Sequence, residues 1–145
     1  MVNNYNKEDT SKINELGTLL NSNFKKLFHI DSLPETENIL VYKKEGELLG
    51  FLHYSKIYET IEILNIIVDK KWRNHGIATS LLEHLIINNE ATSERIILEV
   101  NENNIEAIKF YTKHNFKEIK RRPKYYKNED ALIMEKVLWK KTYTY

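Results

Sequence analysis

A chain of 145 residues with 30% charged residues and a net charge of +1 is long enough for one domain that buries roughly two thirds of its unfolded surface, and too evenly charged to gather nucleic acid or a membrane through a global field. The absence of cysteine excludes disulfides, thiolate nucleophiles and cysteine zinc sites, and the five histidines, His29, His53, His75, His84 and His114, lack paired ligand spacing, so no metal is expected. Met1-Val2-Asn3-Asn4-Tyr5 shows no signal-peptide core and no apolar run approaches membrane-spanning length, so residues 1–145 are expected to form a single domain in the cytoplasm.

Val2 to Tyr5 is compatible with a short edge strand. Asp9 or Thr10 can cap a helix whose apolar positions Ile13, Leu16, Leu19 and Leu20 follow helical spacing, and Asn21-Ser22-Asn23 ends it. Phe24, Leu27 and Phe28 suggest a further helical turn before a loop at Asp31-Ser32-Leu33-Pro34. Asn38 to Lys44 and Glu47 to Tyr58, around Glu45-Gly46, read as a β-hairpin. After a turn at Tyr58-Glu59-Thr60, Ile61 to Val68 is rich in β-branched residues and reads as a strand with both faces largely buried. Ile77, Ala78, Leu81, Leu82, Leu85 and Ile86 then recur at helical spacing. Ile96 to Val100 repeats the buried-strand pattern. With a helix between them, the two strands are expected to run parallel with a right-handed connection.

Asn103, with Glu106 three residues on, predicts a capped helix whose inner face is Ala107, Ile108 and Tyr111. It ends at Lys113-His114-Asn115-Phe116, with Asn115 where a left-handed residue is expected. Phe116 to Lys124 and Asp130 to Val137 read as two closing strands around Tyr125 to Glu129, and the tail Trp139 to Tyr145 is expected to be mobile. Antiparallel strands leading into a strand, helix, strand unit make an α+β arrangement rather than a doubly wound one.

The junction Val68 to Ala78 carries the first chemistry. A tight loop from strand to helix leaves N–H groups without helical acceptors, and with the helix dipole these form an anion site. Gly76 lets the backbone approach a ligand closely. The loop lacks the Lys-Ser/Thr ending of a P-loop and the three glycines of a dinucleotide fingerprint. It has Arg-x-x-Gly-x-Ala instead, at Arg73, Gly76 and Ala78. That spacing resembles the pyrophosphate-binding loop of the GNAT acetyltransferases, in which Arg/Gln-x-x-Gly-x-Gly/Ala cradles coenzyme A. A second set follows in the same order as in that family: Leu98-Glu99-Val100, Asn103-Asn104-Ile105-Glu106-Ala107-Ile108-Lys109-Phe110-Tyr111 and His114-Asn115-Phe116. With Arg121-Arg122, Tyr125-Tyr126 and Glu129-Asp130-Ala131-Leu132-Ile133-Met134, it resembles the ribosomal-protein-alanine N-acetyltransferases more narrowly.

The resemblance covers roughly Asn38 to Leu138 and implies a fold of α+β class (α/β in some schemes), with about six or seven strands in a mostly antiparallel sheet, a parallel central pair and about four helices. It implies acetyl-CoA as donor, its backbone against Ile66, Ile67 and Val68, its pyrophosphate on Arg73, Asn74, His75, Gly76, Ile77 and Ala78, and Asn104 touching it further along. Glu99 is the implied general base and Tyr111 the implied general acid, with Tyr125 and Tyr126 near an acceptor peptide. The acceptor implied is a protein or peptide N-terminus, that of a ribosomal protein in the closest pattern. The chain departs from the family at Ala78 and Asn115, each for a glycine, and more around Pro123 and Lys124.

The residues fit that chemistry and also admit others. An α-amine with a pKa of about 8 is partly neutral at cellular pH, whereas a lysine at about 10.4 is not, so one carboxylate such as Glu99 suffices for an N-terminal acceptor. Backbone N–H groups around Ile66 to Val68 could hold the thioester carbonyl if that strand bulges. Asn65, polar in an apolar strand, is either a bulge residue or an acceptor contact. Tyr111 on an inner helix face also reads as a core aromatic, and Glu99 as a solvated strand-end charge. Lys117, Lys120, Arg121, Arg122, Lys124 and Lys127 interleave with tyrosines, a pattern read as a solvated hairpin rather than a nucleic-acid surface. A small amine or lysine acceptor, and a non-catalytic ribosome- or RNA-binding module, are the alternatives.

Overall fold

The computed structural model describes residues 1–139. Among them run seven strands and four α-helices: β1 (Val2–Asn4), α1 (Thr10–Leu20), α2 (Phe24–Leu27), β2 (Glu37–Lys44), β3 (Glu47–Ile57), β4 (Thr60–Val68), α3 (Ile77–Asn89), β5 (Arg95–Asn101), α4 (Ile105–Lys113), β6 (Lys117–Tyr126) and β7 (Glu129–Val137). The strands form one mixed sheet in the order β1-β2-β3-β4-β5-β7-β6, with β4 and β5 parallel, as the sequence led us to expect. The expected mobile tail lies, from residue 140 on, outside the described residues. No helix among the described residues is long and apolar enough to cross a membrane.

The chain divides into two compact units, the first made of Met1–Lys56 and Leu64–Asn89, the second of Ile57–Ile63 and the chain from Glu90 onward. In the first, β1, β2 and β3 pair antiparallel, and Glu45 and Gly46 both take positive φ, as a two-residue hairpin turn requires. Ile13 and Leu16 of α1 and Phe24 of α2 pack with Ile39, Val41, Phe51 and Ile67 in one apolar cluster. Gly17 admits the Phe24 ring: a Cβ there would collide with Phe24 Cγ, Cδ1 and Cδ2. Gly50 has a parallel role, since its Cβ would stand 3.1 Å from both the Ile67 carbonyl and Ile77 Cγ2. The bare backbone of β3 thus lets the first residue of α3 close in beside the end of β4.

Asp9 does not cap α1 with its side chain. Its carboxylate is buried, accepts from the Asn6 N–H at 3.0 Å and pairs with Lys43 Nζ at 2.7 Å, while Asn6 caps the preceding 3-10 turn. An aspartate with a cation and an amide on offer is held better there than by helix N–H groups alone.

In the second unit, Ile61 faces Ile96 and Ile63 faces Leu98 across the parallel pair. β7 then pairs antiparallel with β5, setting Met134 against Leu98 and Leu132 against Val100. Ile96, Leu98, Val100, Leu132 and Met134 are buried. The cap of α4 is Asn104, not Asn103: its Oδ1 accepts from the Ala107 N–H at 3.2 Å, while the Asn103 N–H donates to Asn101 Oδ1 at 2.8 Å. Asn115 takes φ +69, the left-handed position expected of it. Tyr125 and Tyr126 belong to the end of β6 rather than to the turn after it, because Tyr126 still pairs with Glu129 across the hairpin.

Candidate active site

The loop after β4 is held by short-range bonds. Asp69 Oδ1 accepts from the Lys71 N–H at 3.0 Å and closes a 3-10 turn, Lys70–Trp72. His75 Nδ1 lies 2.9 Å from the Arg73 carbonyl, and the Ser80 N–H donates to the Gly76 carbonyl at 3.0 Å. Asn74 and Gly76 are left-handed, at φ +65 and +78. Arg73, Asn74, His75 and Gly76 are exposed, and a Cβ built on Gly76 would meet open space. The N–H groups of Ile77 and Ala78 come too early in α3 for acceptors within the helix. Lys70, Lys71 and Arg73 add positive charge on the same short segment. A pyrophosphate fits this cradle: the room is there, and the donors and charge have the right sign. Lys44 Nζ stands 5.0 Å over the Trp72 ring, and Trp72 meets the His75 ring edge-on, which braces the loop from one side. Ile66 and Val68 are half-buried and Ile67 is buried, where the strand enters the loop.

Asn65 belongs to a different set of contacts. Its Nδ2 is 3.2 Å from His53 Nδ1, and His53 Nε2 is 2.6 Å from Glu37 Oε1. His53 is completely buried, with the Phe28 ring edge-on at 5.6 Å. Burial outweighs the nearby Glu37 charge and lowers the His53 pKa, so the ring is neutral. A neutral ring satisfies both partners in one tautomer, with Nε2–H donating to Glu37 and Nδ1 accepting from Asn65. His53 was not legible as a site residue, although a histidine directly after the apolar run Leu48 to Leu52 is the signal that could have marked it.

In the second unit Glu99 is reached by Arg122 from β6, Nη1 to Oε1 at 2.9 Å. Arg122 also lies 5.7 Å over the Tyr125 ring, and Tyr125 meets Tyr126 edge-on at 5.1 Å. Glu62, in β4, joins this group. Its pKa is raised by burial first and by the Glu99 charge second, against a smaller lowering by Arg122. Tyr126 is likewise pushed up by burial, then by Glu99 and by Tyr125. Three of the expected site residues, Glu99, Tyr125 and Tyr126, are therefore brought together, and Glu62 and Arg122 are additions that the sequence reading missed. A glutamate inside the apolar run Ile61 to Val68 was the available signal for Glu62.

Tyr111 lies on the other face of β5 from Glu99. Ile96, Leu98 and Val100 alternate with Ile97 and Glu99, and Lys136, opposite Ile96, donates from Nζ to the His114 carbonyl at the end of α4 at 3.0 Å. α4 therefore covers the face of Leu98, and Glu99 points away from it. Tyr111 is 5% exposed, packed edge-on against Phe110 and Phe116, and burial pushes its pKa far up. A phenol in that state is protonated at neutral pH and is not available as a base. Asn104 is exposed, with its oxygen engaged as the cap of α4. Among the described residues no group of three or more histidine, aspartate or glutamate side chains could hold a metal.

Residues 5–116 match the family model described as acetyltransferase (GNAT) family. An uncharacterised N-acetyltransferase of Methanocaldococcus jannaschii is 35% identical over 63% of this chain and 61% of its own length. An N-alpha-acetyltransferase of Sulfolobus acidocaldarius is 30% identical over 79% of this chain and 78% of its own. The [ribosomal protein bS18]-alanine N-acetyltransferase of Escherichia coli is 32% identical over 63% and 65%. The chain thus spans less than two thirds of the first and third of these relatives. The crystal structure of the ribosomal-protein-S18-alanine N-acetyltransferase from Escherichia coli shares the fold, with a TM-score of 0.81 at 22% identity over 98% of this chain and 96% of that one. With the family model matched across most of its length, the chain belongs to the acetyltransferase (GNAT) family.

Proposed function

We propose that this chain is an acetyl-CoA-dependent N-acetyltransferase that acetylates the N-terminal α-amine of a protein, with a ribosomal protein as the acceptor. The observation that carries the reading is family membership, with an N-alpha-acetyltransferase similar to nearly four fifths of the chain. The alanine N-acetyltransferase relative supports the ribosomal acceptor. Arg73 to Ala78 would hold the pyrophosphate, and backbone N–H groups near Ile66, Ile67 and Val68 would hold the thioester carbonyl. When bound, acetyl-CoA supplies an activated acyl group with a thiolate leaving group.

The chain's own residues would then manage two protons. An acceptor ammonium must lose one before its nitrogen can attack, and Glu62 and Glu99 form a pair of carboxylates able to receive it. Burial and the Glu99 charge raise the Glu62 pKa, so Glu62 takes up a proton more readily than an ordinary exposed carboxylate does. Tyr111 Oη, held protonated by burial until the transfer, would give its proton to the departing sulfur and be reprotonated once the product has left. Tyr125 and Tyr126 would flank the acceptor peptide, and Asn65 would touch its first residue. A small amine or a lysine side chain as acceptor is the second reading, and it needs the same carboxylate pair.

A panel of acceptors separates these readings: an alanine-starting peptide, the same peptide with its α-amine blocked and one internal lysine, and a polyamine, each assayed by thiol release from acetyl-CoA. We expect turnover with the free α-amine alone. Replacing Tyr125 and Tyr126 together by alanine should raise the peptide KM and leave the acetyl-CoA KM nearly unchanged. Turnover confined to lysine or polyamine defeats the N-terminal assignment.

A further inference from the structure

Glu37, His53 and Asn65 come from three strands of the first unit and form one continuous hydrogen-bonded chain. His53 faces Ile39 across the β2–β3 pair, and Glu37 stands two residues before Ile39 on the same face of β2. This polar row is therefore the continuation of the apolar surface formed by Ile39, Phe51 and Ile67, with Phe28 closing over the histidine. Burying an imidazole and pairing it with a carboxylate in a strand interior destabilises unless both ring nitrogens are served. Both are, and serving them leaves Asn65 a single arrangement. Its Nδ2 must face the histidine, so its Oδ1 faces the other way. Asn65 is half-buried, so the residue keeps some contact with solvent.

We propose that the Glu37–His53–Asn65 chain orients the Asn65 carboxamide so that Oδ1 is presented as a hydrogen-bond acceptor to the ammonium or first peptide N–H of the acceptor substrate. His53 is then a positioning residue that acts only through Asn65. The inference rests on the proposed acetyl transfer to an amine, since both candidate donors belong to such a substrate. Glu37 fixes the tautomer: with Nε2–H held by a carboxylate at 2.6 Å, Nδ1 is left as an acceptor, and an amide presented to it must turn its nitrogen inward. Without that restraint the carboxamide is free to rotate by half a turn, and a donor replaces the acceptor at the surface.

Two substitutions of His53 divide its bonds. Asparagine places an acceptor oxygen near the former Nδ1 and loses the reach to Glu37, whereas glutamine keeps a donor toward Glu37 and loses the acceptor for Asn65. We expect His53→Gln to raise the acceptor KM about tenfold, with acetyl-CoA affinity by calorimetry unchanged, and His53→Asn to restore most of the loss. Asn65→Leu should raise the same KM by a similar factor, and the double variant His53→Gln with Asn65→Leu should be no worse than Asn65→Leu alone. Long-range 15N–1H spectra of the wild-type protein should show His53 as the Nε2–H tautomer, with one slowly rotating Asn65 NH2 group that His53→Gln releases. Additive effects of the two substitutions, an altered acetyl-CoA affinity, or the opposite tautomer each overturn the inference. If the wild-type protein acetylates a polyamine and not a peptide, the N-terminal reading falls, and the KM comparison run on the polyamine still decides the role of His53.

Discussion

The Arg122 guanidinium stands 2.9 Å from Glu99, and that cation and that anion pull the pKa of Glu62 in opposite directions. Burial raises the Glu62 pKa most, the negative Glu99 raises it further, and Arg122 lowers it. Neutralising Glu99 as Glu99→Gln therefore moves the Glu62 titration to lower pH, and Arg122→Gln moves it to higher pH. Carboxyl-carbon NMR titration of Glu62 in the two variants measures both shifts. With Glu62 taking the acceptor's proton, the acid limb of kcat/KM moves up in pH for Arg122→Gln, because the base must be ionised to work. Shifts of one sign in both variants, or none, would remove Glu62 from this electrostatic group.

Gly76 offers a cleaner test of the loop than a single substitution would. Its φ of +78 makes any L side chain strained there, while the space around a Cβ is open. Gly76→Ala should therefore cost roughly 1–2 kcal/mol of backbone strain without a collision. Gly76→Asp carries the same strain and adds a carboxylate where a pyrophosphate would lie. Calorimetry should show acetyl-CoA binding weakened much more by aspartate than by alanine, and more so at low salt. Equal losses in the two variants would mean that conformation, not charge, accounts for the effect.

The parts of the fold carried by short-range pattern were readable in advance, as were the β2–β3 hairpin and the parallel β4–β5 pair, and the side-chain contacts made across strands were not. Ile77, Leu81, Leu82 and Leu85 repeat at helical spacing and are the buried stripe of α3, and Asn115 is left-handed where a helix end needs it. The two stretches that carry the family resemblance are also local features, Arg73 to Ala78 in one loop and the helix start, and Leu98 to Phe116 along one strand end and the helix after it. By contrast, Glu37 finds His53 across 16 positions and His53 finds Asn65 across 12. Arg122 reaches Glu99 only because β7 lies between their strands in the sheet. The misplaced helix cap has the same origin in miniature. Asn101, Asn103 and Asn104 are all suitable residues, and the backbone path after β5 makes the choice by giving Asn104 the Ala107 N–H.

Gly17→Ala should destabilise the protein although alanine is the better helix former. The gain in helix propensity is about 1 kcal/mol. Against it, the new Cβ meets the Phe24 ring, which is fully buried between Phe28 and Phe51, with ring centroids at 5.2 and 6.1 Å. Overpacking of this kind costs about 1–3 kcal/mol, and a ring without room to yield belongs at the upper end. Chemical denaturation should show a lowered midpoint, and Gly17→Ala combined with Phe24→Leu should recover part of it. An unchanged or raised midpoint in the single variant would show that α1 and α2 separate at little expense.

Tyr111 tests the proposed acid most directly, because its surroundings divide packing from chemistry. The ring is fixed edge-on to Phe110 and Phe116, at centroid distances of 5.3 and 5.2 Å, and the face of β5 it serves is the one opposite Glu99. Phenylalanine keeps every ring contact and deletes only Oη, so Tyr111→Phe should unfold within a degree or two of the wild-type protein. Its burial holds the phenol protonated far above the ordinary tyrosine range, so a wild-type pH–rate profile should show no alkaline limb from this residue. Loss of a positioned proton donor lowers kcat by roughly 10²- to 10⁴-fold, with acetyl-CoA binding nearly intact. The deficit should shrink for an acyl donor whose leaving thiol is more acidic, because a better leaving group needs less help from a proton. A variant that turns over at the wild-type rate, or whose deficit ignores the leaving group, would leave Tyr111 as a core aromatic and assign the proton to solvent.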